Sequence, residues 1–146
     1  MVDRNQPYKV SRFVVDLGKY KVADFEQVTL PNTSTEVNDY RTGADAALTR
    51  KLWGSTHHED LVLVRGADDN TDLLDWRKLV NDGKIKEARV STISVTLKSE
   101  SMESGPTWVF TEAWPREYKP PKLSSDQHSV AKETVVIAFD TMKRDA

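Results

Sequence analysis

The chain has 146 residues, the size of one ordinary domain, and no cysteine, which excludes disulfides, thiolate metal sites and cysteine nucleophiles. Its 21 basic and 23 acidic residues give a net charge of −2, which argues against a dedicated nucleic-acid binder, because such proteins are usually strongly basic. The first residues lack the basic-then-apolar order of a signal peptide, and no apolar run approaches the roughly 20 residues that span a bilayer. We therefore expect a protein made in the cytoplasm, without stable membrane insertion and without a readable export signal.

The first part of the chain predicts mostly strands. Residues 10–17 form a strand with alternating apolar positions, a tight turn follows at Gly18 and Lys19, and residues 20–30 form a second strand, so the two strands predict a hairpin. Residues 36–41 predict a third strand. Residues 42–59 are polar and rich in Ala, Thr and Gly, and they predict a long extended loop.

The middle of the chain predicts a buried strand and then the one helix. Residues 60–65 contain Leu-Val-Leu-Val, which is typical of a strand buried on both faces. Residues 72–82 predict a helix with its N-cap among residues 69–71 and its stop signal at Gly83. The apolar stripe that we expect to dock this helix consists of Leu73, Trp76, Leu79 and Val80.

Three further strands are predicted, over residues 88–98, 107–114 and 129–140, and the proline-rich residues 114–123 predict an extended connection. The first of these strands has one polar face. That face is either a solvated outer surface or a surface that lines the wet interior of an assembly. Its residues are Thr92, Ser94, Thr96 and Lys98.

No catalytic, cofactor-binding or metal-binding residues can be assigned from motifs. His57 and His58 are adjacent, so their side chains diverge and rarely chelate one ion together. The alternating Trp108, Phe110 and Trp114 predict one shared face, which is either core or a platform for a sugar ligand. Residue chemistry alone therefore favours a structural or binding protein over an enzyme, and we expect no metal and no cofactor.

An ordered set of segments resembles the tail tube protein family of contractile phage tails and the related extracellular contractile injection systems. The resemblance covers residues 7–142, and its strength lies in the order and spacing of the segments, since none is decisive alone. The segments are FVVDL (13–17), VADFEQV (22–28), EVNDYRTG (36–43), RKLWG (50–54), LVLVRG (61–66), LDW (74–76), DG (82–83), FTEAWPREY (110–118) and VAKETVVIAF (130–139).

The resemblance implies a fold and a role. The expected fold is mainly β: a single tail-tube-like domain over residues 1–146, built as a small β-barrel or β-sandwich with one packed α-helix and a long extended loop. Six copies would form a ring, and the rings would stack into a hollow inner tube that a contracting sheath drives through a target envelope. The alternatives are a tube-initiator or baseplate paralogue of the same fold, and a monomeric β-sandwich ligand-binding module.

The resemblance also implies partners and contact surfaces. The partners would be other copies of the chain, the sheath protein, baseplate or spike proteins, a tube cap or terminator, and luminal cargo, for which a protein effector is favoured over DNA. The particle would assemble in the cytoplasm and could be released. The polar face of strand 88–98 would line the lumen. The long loop, with apolar anchors in a charged rim, would reach the next ring through Arg41, Asp45, Leu48, Arg50, Lys51, Leu52, Trp53 and Glu59.

Overall fold

Nine strands and two short helices make up the described part of the chain. The computed structural model describes residues 8–20, 25–40 and 50–145. The predicted mainly-β class is confirmed. In chain order the elements are β1 (Phe13–Asp16), β2 (Phe25–Thr29), β3 (Thr33–Tyr40), β4 (Arg50–His58), β5 (Leu61–Gly66), α1 (Asp72–Asn81), α2 (Ile85–Ala88), β6 (Val90–Lys98), β7 (Ser104–Lys119), β8 (Lys132–Ala138) and β9 (Thr141–Asp145).

Seven of these strands form one open antiparallel sheet in the order β1-β6-β7-β8-β5-β2, with β9 paired to β7. The 16-residue strand β7 pairs with β6 and β9 along its first part and with β8 from Trp114 onwards. It thus divides the sheet into a first half-sheet (β1, β6, β9 and the start of β7) and a second half-sheet (β2, β5, β8 and the end of β7). The strands β3 and β4 form a separate two-stranded ribbon.

One hydrophobic core joins the two half-sheets and the helix α1. Alternating residues of each strand enter it, as the pleat of a strand requires. Strand β5 shows this pattern clearly, since Leu61 and Leu63 are buried while Val62 and Val64 are half-buried. The largest fully enclosed side chains among the described residues are Leu17, Leu61, Leu63, Leu73, Trp76, Ile93, Phe110, Pro115, Val135 and Ile137.

The helix α1 docks on the core through the face that its periodicity predicts. Leu73 and Trp76 are buried, and Leu79 and Val80 pack against the core from its edge. The Trp76 indole N–H donates a hydrogen bond to the backbone carbonyl of Ala88, at the end of α2. The helix α2 was not predicted, because its four residues are too few to show a period.

The start and end of α1 follow its local sequence. The Asn70 side-chain oxygen accepts a hydrogen bond from the Asp72 N–H at 2.8 Å. Thr71 is the N-cap residue, but its hydroxyl donates to the Asp75 carboxylate at 3.2 Å instead of capping the backbone. Gly83 follows the helix with a φ of +76°, the left-handed conformation that glycine adopts without a Cβ clash.

The predicted β1–β2 hairpin is wrong. The turn itself is present: Gly18 has a φ of +71°, its N–H donates to the Asp16 carboxylate at 2.9 Å, and Leu17 and Tyr20 form an isolated bridge. Beyond the turn, however, β1 pairs with β6, and β2 pairs with β5. A local turn signal therefore placed the reversal correctly and the strand partners incorrectly.

Two predicted connections are also wrong in part. Residues 50–58, predicted as loop, form strand β4, which pairs with β3; residues 42–49 of that predicted loop lie outside the described residues. Residues 114–119, predicted as an extended connection, continue β7, with a register shift between Pro115 and Glu117 that accommodates the proline. The last predicted strand, residues 129–140, corresponds to β8, and the terminal strand β9 was not predicted.

Candidate assembly surfaces

The ribbon of β3 and β4 carries large apolar side chains that remain exposed to solvent among the described residues. Val37 and Trp53 are opposite one another in the strand register, and Leu52 lies beside them on the other face. Trp53 is 87% exposed, Val37 60% and Leu52 51%, and every residue of β3 is exposed. Exposed apolar patches of this kind mark surfaces that bind another molecule.

The ribbon is held together by cross-strand polar pairs in place of a core. The hydroxyls of Thr35 and Thr56 are 2.9 Å apart, and His57 Nε2 is 3.0 Å from Glu36 Oε1. A register shift between Thr35 and Val37 bulges one strand. These contacts explain how a segment without alternating apolar residues forms strands.

The base of the ribbon is anchored to the body of the protein. The Glu59 N–H donates to the Asn32 carbonyl at 3.0 Å, and the His58 ring stacks on Phe139 with a centroid distance of 4.3 Å. Phe139 in turn makes an edge contact with Phe110 of the core at 4.9 Å. His57 and His58 therefore contact different groups on opposite faces of β4, as adjacent strand residues do.

The structure brings together half of the residues predicted for the subunit interface. Arg50, Lys51, Leu52 and Trp53 lie side by side on β4, and all four are exposed. Glu59 is exposed at the base of the ribbon. The predictions for Arg41, Asp45 and Leu48 fall outside the described residues.

The predicted polar face of β6 belongs to a wider hydroxyl-bearing surface on the first half-sheet. Thr92 is exposed, while Ser94, Thr96 and Lys98 are half-buried. Cross-strand register adds three hydroxyls of β7 and β9 to this surface: Thr96 pairs with Thr107 (hydroxyls 3.1 Å apart), Thr92 pairs with Thr111, and Thr111 pairs with and hydrogen-bonds to Thr141.

Charged residues of both signs lie on this hydroxyl surface. The strand register places Asp16 of β1 opposite Ser94 of β6. The same line of cross-strand partners continues across β7 to Lys143 of β9. Asp145 of β9 lies opposite Thr107 of β7. Lys98 adds a cation, and its amine donates to the Ser104 hydroxyl at 2.8 Å. The half-buried Arg12 lies beside Lys98, since its carbonyl accepts from the Lys98 N–H, so the described surface carries both cations and anions. The opposite face of β6 holds the buried Ile93 and Val95, so the two faces differ sharply in polarity.

The three aromatic residues of β7 do not share one face, so that prediction is wrong. Glu112 has a φ of +51°, which interrupts the alternation of the strand. Phe110 is buried before this point, and Ala113 and Pro115, instead of Trp114, are buried after it. Trp108 packs at the edge of the core, with the Arg144 guanidinium 5.6 Å from its ring centroid. A continuous aromatic platform is therefore not formed.

A buried ion-pair network, which the sequence did not reveal, ties β5, β7 and β8 together. Arg65 and Glu133 are 3% and 5% exposed and are register partners, with Arg65 Nη1 2.9 Å from Glu133 Oε1. The Tyr118 hydroxyl donates to the second Glu133 oxygen at 2.6 Å, and Arg65 Nη2 donates to Asp68 at 2.6 Å. The signal in the sequence was the arginine that ends the apolar run of residues 61–64.

This network shifts two pKa values in directions that follow from its geometry. Burial, and then the hydrogen bond to the Glu133 carboxylate, raise the pKa of Tyr118 to about 12. The backbone N–H of Asn70 and the Arg65 guanidinium lower the pKa of Asp68. The network holds three strands together, because Arg65 and Glu133 are both buried and Glu133 is bonded from β5 and from β7; the Arg65 Nε, which is buried without a partner, is the one atom of the guanidinium that the network leaves unpaired.

Within residues 8–20, 25–40 and 50–145, His, Asp and Glu side chains do not gather in a group of three that could hold a metal ion. In the same described ranges, the helices are too short and too polar to cross a bilayer.

Comparison with solved structures defines the class of fold. A chain in an extracellular contractile injection system, the PVC sheath–tube complex in the extended state, superposes with a TM-score of 0.83 at 23% identity, covering 98% of this chain and 94% of that one. A chain in the PVC sheath/tube terminator structure gives 0.80 at 22% identity, covering 99% and 100%. A chain in the anti-feeding prophage baseplate gives 0.80 at 19% identity, covering 96% of each. The fold is therefore that of tail tube proteins.

The chain belongs to the T4-like virus tail tube protein gp19 family, whose model matches residues 9–143. No curated protein matches the sequence. The family is a structural component of tails, and the resemblance found in the sequence is confirmed.

Proposed function

We propose that this chain is the subunit of the inner tube of a contractile injection system. As a single tail-tube-like domain, it forms hexameric rings that stack into a hollow tube, and contraction of a surrounding sheath drives the tube through a target envelope. The observation that carries this proposal is the ribbon of β3 and β4, whose exposed Val37, Leu52 and Trp53 have no partner surface within the described part of the chain.

The ribbon determines the direction in which further copies add to the tube. It projects from one place on the subunit and must bind a different place on a neighbour, so the contact is heterologous. Heterologous contacts either close into rings or propagate without limit. Arg50 and Lys51 beside Leu52 and Trp53 supply the charged rim that surrounds apolar anchors in protein interfaces.

The hydroxyl surface of the first half-sheet is proposed to line the lumen, with Thr92, Ser94, Thr96 and Lys98 facing the cargo. Its charges of mixed sign would hold neither an anionic nor a cationic cargo strongly, and several of its hydroxyls are already paired with one another. These features favour passage of a protein effector over retention of DNA. In this proposal the cargo moves along the luminal wall, and the subunit catalyses no reaction on it.

The remaining proposed partners follow from the same assembly. They are the sheath protein outside the tube, baseplate or spike proteins at one end, and a cap or terminator at the other. The particle would assemble in the cytoplasm and act as a phage tail-like particle. A role at one end of the tube is the second candidate, because chains in the baseplate and terminator structures superpose almost as well as the chain in the sheath–tube complex.

Microscopy of the purified chain separates these roles. The main tube subunit should form rings of six and tubes of varied length in negative-stain images, with a mass in light scattering that grows with concentration. A protein of the tube end should stop at single rings. A monomer at all concentrations would contradict the proposal and favour a ligand-binding module.

A further inference from the structure

An apolar groove runs between β1 and β2, the two strands at the ends of the sheet order. Its volume is about 620 Å³. Among the described residues, β1 pairs only with β6 and β2 only with β5, so each strand leaves one edge toward the groove without a strand partner. The groove is walled mainly by Phe13, Phe25, Val28, Leu30, Leu97 and Trp108.

The groove is a region where the packing of the core is incomplete. Phe25, Val28, Leu30 and Trp108 are only half-buried although they pack against the core cluster. Protein interiors are normally filled to crystal-like density with few voids larger than a water molecule. An apolar side chain entering the groove would therefore complete packing that the described residues of one chain leave open.

The ribbon presents side chains of the matching kind. Val37 and Trp53 are cross-strand partners, so they project from the same face and form one apolar knob. A tryptophan alone can bury about 150–250 Å². Because Trp53 is 87% exposed, it does not fill the groove of its own chain.

We propose that the knob formed by Val37 and Trp53 of one copy occupies the groove between β1 and β2 of the next copy. This inference rests on the proposed function and names the receptor for the ribbon. Knob and groove lie on different parts of the chain, so each copy offers one of each, and the contact repeats from copy to copy.

The charges at the two surfaces are compatible with this contact. Glu26 is the one charged residue among the described residues that line the groove, and its carboxylate is 3.1 Å from the Lys132 amine. The described end of the ribbon carries Arg50 and Lys51, with Asp39 opposite Lys51 in the register. Lys51 and Asp39 lie on the same face as Val37 and Trp53, whereas Arg50 lies with Leu52 on the opposite face. The knob face thus brings a balanced pair of charges to a wall whose carboxylate is already paired with Lys132.

Cysteine cross-linking tests the contact directly, because the natural chain has no cysteine. The test pair is Val37→Cys with Val28→Cys, two small changes that leave Trp53 in place. Mild oxidation of the assembled protein should give a ladder of dimers and larger species on a denaturing gel. The control pair, Leu74→Cys on the exposed side of α1 with Val28→Cys, should stay monomeric.

A second variant measures the importance of the knob. Trp53→Ser should raise the concentration needed for tube formation by about tenfold or more, the effect of losing a central interface anchor. Leu123→Ser changes another exposed apolar residue, 84% exposed and far from the ribbon in sequence, and should leave that concentration unchanged.

The outcomes separate this inference from the proposed function. Tubes formed by the wild type and by the Val37→Cys/Val28→Cys variant, with no disulfide ladder from that variant and with normal assembly of Trp53→Ser, would overturn the knob-and-groove contact and leave the tube role standing. A disulfide formed only within one chain, or a small apolar molecule found in the groove by native mass spectrometry, would also overturn it. A wild-type chain that never forms rings or tubes would overturn both.

Discussion

Replacing Trp76 by alanine should lower the stability of the folded subunit more than almost any other single substitution in α1. The side chain is fully buried, its ring centroid lies 5.3 Å from that of Tyr20, and its N–H satisfies the Ala88 carbonyl. Loss of a buried Trp costs about 3–5 kcal/mol. The Ala88 carbonyl, left without its partner, adds about 1 kcal/mol or more if water does not reach it.

The expected loss of at least about 4 kcal/mol corresponds to a lower melting temperature by about 8–16 °C for a chain of this size. Urea unfolding followed by circular dichroism measures it, at a concentration below that of assembly, because self-association would raise the apparent stability. Trp76→Phe keeps most of the ring burial and should lose only about 1–2 kcal/mol.

Leu74→Ala is the matched control, since Leu74 lies two residues earlier on α1 and is 46% exposed. It should cost less than about 1 kcal/mol. The reasoning is refuted if Trp76→Ala melts within a degree or two of the wild type, or if Leu74→Ala is as destabilising. Either result would mean that α1 is not held to the sheet by this side chain.

Three further predictions concern pH, the predicted loop and metal ions. The folded-state pKa of Tyr118 is raised to about 12 from its usual value of 10.0. Its contribution to stability is therefore present below pH 10 and is lost as the pH rises to 12, so the difference in unfolding free energy between wild type and Tyr118→Phe should shrink between pH 10 and pH 12. Replacing residues 44–51 with a short Gly-Ser linker should leave a folded β-rich subunit that still closes into rings but no longer stacks; tubes of normal length in negative stain would contradict this. Zn²⁺ or a chelator should leave assembly unchanged, since His57 and His58 face opposite ways, and a stoichiometric metal in elemental analysis of native particles would show otherwise.

The features that were predictable from the sequence are those set by neighbouring residues. The helix was placed to within one residue, because Leu73, Trp76, Leu79 and Val80 have helical spacing and Gly83 ends it. The buried strand β5 was placed equally well from its apolar run. The family was recognised from the order of short segments, not from periodicity.

The features that were missed depend on contacts far away in the chain. The turn at Gly18 suggested a hairpin, but burial of the apolar faces directs β1 to β6, about 80 residues away in sequence, and β2 to β5. Residues 50–58 gave no strand signal, because a ribbon with both faces exposed does not need alternating apolar residues. Pro115 suggested a break, whereas its missing N–H is accommodated at a bulge.

The candidate surfaces were predictable only as far as composition marks them. The polar face of β6 and the cluster from Arg50 to Trp53 were visible in the sequence. The groove between β1 and β2 was not, because it exists only once strands from both ends of the sheet order approach each other. The Arg65–Glu133 pair was equally hidden, since its partners are 68 residues apart.

The position of β8 has a consequence for the order in which the protein can be made and used. Strand β8 lies between β7 and β5 in the sheet. The pair of β5 and β2 therefore has no hydrogen-bonded strand that links it to β7 until residues 132–138 have left the ribosome. Before that moment Leu61 and Leu63 of β5 are not packed beside β8. Strand β1, which forms the other wall of the groove, is not yet held opposite β2. If the proposed knob-and-groove contact joins the copies, a nascent chain that already displays Trp53 cannot yet offer the groove, and we expect polymerisation to wait for completed translation of β8.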